Sequence, residues 1–163
     1  MSISDHIKST LSLPNSVVNG YLADLSDDDL MMRPHEDANH IAWQLGHLIS
    51  AEHDLNNMVC PDSMPDLPDG FYKKHSKEQA ASNDKADFCT KDEYLAAMNT
   101  QREGTLALLD RLSDQELGQP APDKLKQFGD TVGAVIAGQS AHWMMHAGQW
   151  VVIRRQLGKG PLF

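Results

Sequence analysis

Val132, Val135, Gln139, His142, His146, Gln149 and Ile153 follow one another at strictly alternating spacings of three and four residues. An α-helix turns once in about 3.6 residues, so all of these side chains share one face. The alternation is that of an inward seam in a packed helical bundle, and a chain carrying it must bury that seam against other helices. The seam has an uncommon filling. Valine and isoleucine close its ends, but Gln139, His142, His146 and Gln149 occupy its middle. An imidazole buried without a partner costs roughly a few kcal/mol of desolvation. Two stacked on one face therefore need partners, either hydrogen-bonding neighbours such as Gln139 and Gln149 or one shared divalent metal ion.

A metal would need a further ligand. The stretch from Asn39 to Met58 is expected to form the second long helix, capped by Asn39 or Asp37. Ile41, Leu45, Leu48 and Leu55 make its apolar stripe, and His40, Gln44, His47 and Ala51 the strip beside it. If that strip faces the seam, His47 meets His142 and His146 across the core. Three neutral imidazoles leave one or two coordination positions for water or substrate, which suits a catalytic metal rather than a closed structural one. Gln139 and Gln149 are candidates to fix imidazole tautomers from behind. His40 shares a face with His47 and is a rival ligand or a supporting group. Glu52 lies on the other stripe and is a candidate pocket carboxylate.

His47 in the context Trp43-x-x-Gly46-His47-Leu48, followed far downstream by His142-x-x-x-His146-x-Gly148-Gln149, resembles the DinB-like (YfiT-like) metalloenzyme superfamily. The resemblance covers nearly the whole chain in length, helix order and the placing of the three histidines. It implies a four-helix bundle with a three-histidine metal site. It also implies a homodimer, and transferase or isomerase chemistry with small thiols, but no polymerase activity. Imidazole ligands suit zinc, nickel, copper, cobalt or iron, and zinc or nickel is the first expectation.

The rest of the chain fits an all-α reading, a four-helix bundle formed by one domain over residues 1–163. A first helical segment breaks near Pro14 and resumes through Val17, Val18, Tyr21, Leu22 and Leu25, with Ser26 capping a short acidic turn. From Val59 to Thr90 the periodicity fails and turn formers crowd the sequence, with a short helix expected around Ser76 to Ala81. A connection that long is expected to cross over the bundle, so that the second and third long helices run parallel. Met64, Phe71 and Tyr72 within it are candidates either to wall a pocket or to anchor the connection. Thr90 with Glu93 forms a capping box for the third long helix, and Asp130-Thr131 caps the fourth, which ends near Leu157-Gly158.

Charge and motif content narrow the function. With 14 basic and 23 acidic residues the chain carries −9, which repels phosphate backbones and anionic lipid, so neither nucleic acid nor membrane is an expected partner. The N-terminus shows no signal-peptide pattern and no apolar run approaches a membrane span, which predicts a cytoplasmic protein. There is no Gly-rich phosphate loop, no HExxH pattern and no Gly-x-Ser-x-Gly elbow. The pair of histidines lacks the adjacent glutamate that would serve as base, so hydrolysis would need one from elsewhere, such as His40 or Glu52. Thiol transfer asks less, because a metal can itself ionise the thiol. The expectation is a metal-dependent enzyme acting on a small-molecule substrate with a low-molecular-weight thiol. A metal-dependent hydrolase and a non-catalytic metal- or ligand-binding bundle are the alternatives.

Overall fold

Helix starts in this protein are written by side-chain caps. Ser2, Ser26, Thr90 and Ser113 each accept from the backbone N–H three residues on, and the carboxylate of that later residue accepts from the cap's own N–H. Each reciprocal pair satisfies two backbone donors that a helix start leaves orphaned. A computed structural model describes residues 1–162. It contains α1 (Ile3–Ala23), α2 (Asp27–Leu30), α3 (Ile41–Val59), α4 (Phe71–Lys74), α5 (Lys91–Arg111), α6 (Asp114–Leu117) and α7 (Val132–Gln156). No β-strand forms among the described residues; Pro120 and Thr131 make an isolated bridge. No described helix is long and apolar enough to cross a membrane.

The four long helices contact one another as α1 with α7, α7 with α3, α3 with α5, and α5 with α1. Their directions follow from the pairs that touch. Gln44 meets Gln149 while Asn56 meets Gln139, so α3 and α7 are antiparallel. Glu52 meets Arg102 and Asn56 meets Thr105, so α3 and α5 run the same way. Leu22, Leu25, Leu30, Ile41, Leu45, Leu48, Ile49, Tyr94, Trp150 and Ile153 form the main core.

Two sequence expectations are corrected here. Pro14 does not divide the first helix: α1 runs through it. Proline removes the hydrogen bond to the carbonyl four residues back and crowds that carbonyl, and the burial of Leu11, Pro14, Val17 and Val18 offsets that cost. The cap of α3 is His40, not Asn39 or Asp37. Its Nδ1 accepts from Trp43 N–H at 3.0 Å, so Nε2 carries the proton and donates to the Ser82 carbonyl at 3.2 Å.

The 60–90 connection folds back over α3. It holds α4 and two 3-10 turns, at Gln79–Ala81 and Lys85–Asp87, instead of a helix from Ser76. Met64 and Phe71 are buried and anchor it. Its tightest approach is at Gly46, where an added Cβ would fall 2.0 Å from the His75 ring. His75 Nδ1 donates to the Phe71 carbonyl and Nε2 accepts from Tyr94 Oη, both at 2.7 Å, while burial pushes its pKa down to about 4. Gly46→Ala is therefore expected to displace His75 and destabilise the fold by about 1–3 kcal/mol or more. A urea midpoint that does not move would show that the His75 ring yields freely.

Candidate metal centre

His142 and His146 project from one face of α7, and His47 meets them from the antiparallel α3. His47 Nε2 and His142 Nε2 face each other at 3.2 Å. Ring centroids are 5.0 Å apart for His47–His142, 5.4 Å for His47–His146 and 5.1 Å for His142–His146. One nitrogen from each ring lies within 4.8 Å of the others, and the group could hold a metal ion. Ligands at about 2.0–2.1 Å from a shared ion stand roughly 2.8–3.4 Å apart across octahedral to tetrahedral angles. The closest nitrogen pair falls inside that interval.

The tautomer of His146 follows from its neighbours. Trp150 Nε1 can only donate, and it points at the Gln44 side chain at 2.9 Å, so that atom is the amide oxygen. The same oxygen lies 2.9 Å from His146 Nδ1, which must then carry a proton. That leaves the lone pair of His146 on Nε2. Gln44 is itself held, because its amide nitrogen donates to the Asn39 carbonyl and to Gln149 Oε1. His47 is oriented differently: its ring stacks on Trp43 with centroids 5.3 Å apart and planes 6° from parallel. Trp43 is fixed in turn by donating to the Ser76 carbonyl at 2.9 Å.

Charge state agrees with a ligand role. Burial lowers the pKa of His47, and burial followed by the neighbouring imidazoles pushes His142 and His146 down to about 4. At neutral pH the rings are uncharged and their lone pairs are free to coordinate. The site opens through His47 and His142 onto a cavity of about 720 Å³ between α3, α7 and the residues that precede α7.

A family model described as the DinB superfamily matches residues 15–150. The chain belongs to the DinB superfamily. No curated protein and no solved structure matches it. Within this DinB-superfamily fold, the structure brings together His47, His142 and His146, the three residues named from the spacing. Gln149 acts one step removed, through Gln44. Gln139 lines the cavity and donates to Asn56 Oδ1 at 2.9 Å.

His40 and Glu52 do not line the cavity. Both ring nitrogens of His40 are occupied in capping α3 and holding Ser82. Glu52 is buried among α3, α5 and α7, where it accepts from Arg102, Thr105 and Trp143. Gln44, Trp43 and Asp54 were missed. The strip His40, Gln44, His47, Ala51, continued by the same alternating steps, reaches Asp54 and Met58, and both line the cavity.

Because Gln44 sets the His146 tautomer, Gln44→Leu is expected to weaken zinc or nickel binding about 10–100-fold. It also leaves Trp150 Nε1 without its acceptor. Calorimetric titration checks this, and an unchanged affinity would release His146 from Gln44's control.

Proposed function

We propose that this chain is a metal-dependent enzyme whose His47, His142 and His146 hold one divalent transition metal, zinc or nickel, and that it carries out transferase chemistry on a small thiol. The reading takes the four long helices as a four-helix bundle, with the 60–90 connection crossing over it. The observation that supports it most is a trio of neutral imidazole nitrogens within 4.8 Å beside an accessible cavity. A bound divalent ion would lower the pKa of a thiol or water attached to it.

The protein's own residues do the rest. All three donors are uncharged, so they leave the ion's positive charge undiminished for an anionic sulfur. Gln44 and Trp43 hold His146 and His47 in place, which limits reorganisation when a ligand arrives. Thiol transfer is favoured over hydrolysis because, among the described residues, no carboxylate joins the trio. The cavity's carboxylate, Asp54, is seven residues along α3 from His47, or about 10 Å of helix. A non-catalytic metal-binding bundle is the second reading.

The test is metal analysis of protein purified without an affinity tag, followed by a screen of small thiols with electrophilic acceptors. About one metal per chain with thiol turnover is the expected result. Failure of the wild type to retain zinc or nickel through dialysis would remove the reading, and stoichiometric metal without turnover would move it to the binding bundle.

A further inference from the structure

The cavity beside the histidines is far larger than a metal and a small thiol require. At about 720 Å³ it lies in the range of sites that enclose whole organic ligands, roughly 300–1,000 Å³. Its wall is mostly apolar. Leu55 and Met58 come from α3, Val135 and Met145 from α7, and Leu125 and Phe128 from the residues between α6 and α7. The charged residues on the wall are Asp54 and Lys124, of opposite sign, so the wall expresses no preference for a charged body.

The wall is built by close packing. An added Cβ at Gly129 would fall 2.7 Å from the Ala134 and Val135 backbone, and one at Gly138 would fall 3.2 Å from the Phe128 carbonyl. These glycines let the turn carrying Leu125 and Phe128 lie flat on the first part of α7. Leu125 is buried there, whereas Phe128, Met58 and Met145 are 49%, 41% and 61% exposed around the opening. Large apolar side chains gathered at the mouth of a concave apolar site mark a binding surface, and methionines adapt their shape to what they cover.

We propose that this cavity binds an apolar, uncharged organic co-substrate, an alkyl or aryl body whose single polar group faces His47 and His142. The inference rests on the metal reading for the position of that polar group, and on the wall alone for the apolar body.

The test uses full-length protein and straight-chain alkyl hydroxamates, whose head group ligates a metal and whose tail can be lengthened one methylene at a time. On zinc-loaded protein, affinity should rise about fourfold per methylene over several carbons as each is buried, then level off when the cavity is full. Phe128→Asp, at a half-exposed position, should flatten that rise while leaving zinc stoichiometry and acetohydroxamate affinity unchanged. A flat chain-length series in a wild type that still binds acetohydroxamate overturns this inference and spares the metal site. Should zinc not bind at all, displacement of a neutral apolar dye from metal-free protein by decanol, lost in Phe128→Asp, still supports the apolar site, and no displacement overturns it. A flat series in a protein that sediments as a dimer, with Phe128→Asp sedimenting as a monomer, would give this face to a second copy of the chain and overturn the proposal.

Discussion

His142→Ala is expected to weaken zinc or nickel binding by more than about a hundredfold, beyond the roughly 10–100-fold cost of disturbing a residue behind a ligand. The variant removes one of the two nitrogens that stand 3.2 Å apart and leaves the neighbouring core residue Trp143 untouched. Circular dichroism should therefore show an unchanged helical content. Acid dependence adds a second readout. The pKa of His142 and His146 is pushed to about 4, below the unfolded value near 6.5. Proton competition for the metal should accordingly set in toward pH 4, lower than a solvent-exposed imidazole would give. The same shift makes the metal-free fold lose stability as pH falls from about 6.5 to 4, because at these two positions the unfolded chain takes up protons in that window that the folded one does not. Metal-free His142→Ala lacks one such group and should lose less stability across it than the wild type. Wild-type metal content in the variant would take His142 out of the site.

Glu52→Ala is expected to destabilise the fold strongly. Glu52 accepts from Arg102 Nη2 at 3.0 Å, Thr105 Oγ1 at 2.6 Å and Trp143 Nε1 at 3.0 Å. Its side chain is 1% exposed and that of Arg102 9%. Arg102 Nε and Nη1 are already buried without a hydrogen-bond partner, so removing the carboxylate leaves the whole guanidinium uncompensated. Breaking a buried pair from one side costs about 3–5 kcal/mol, which for a chain of this size lowers the melting temperature by roughly 6–20 °C. Adding Arg102→Met to the variant should recover much of the loss, since the stranded charge leaves with it. A loss below about 1 kcal/mol in Glu52→Ala would mean that water already reaches Arg102.

The histidine site was legible because helical periodicity is local. Spacings of three and four along 132–153 place His142 and His146 on one face whatever surrounds them, and the same rule isolates His47 on its strip. The DinB resemblance rests on those same positions, and the family match over residues 15–150 spans them. The partners of polar side chains one stripe away were not legible. Glu52 reads as a pocket carboxylate until Arg102, 50 residues on, and Trp143, 91 residues on, are seen to claim it. His40 reads as a ligand because histidine seldom caps a helix, and its second partner, Ser82, sits 42 residues away in a stretch without periodicity. Asp54 is legible from the same pattern, since it lies one step beyond Ala51 on the strip that carries His47.

His47 and His142 are 95 residues apart, and that separation orders events during synthesis. A nascent chain that has just completed α3 presents one imidazole of the trio, with its Trp43 platform and Gln44 already in sequence but nothing opposite them. The other two rings follow four residues apart on α7, so a second helix contributes ligands only once α7 is well under way. A metal held by the trio would thus be captured only as α7 closes onto α3, a long-range contact costly in loop entropy. Ion uptake would then report α7 docked on α3, and the ion would add its binding free energy only to that state.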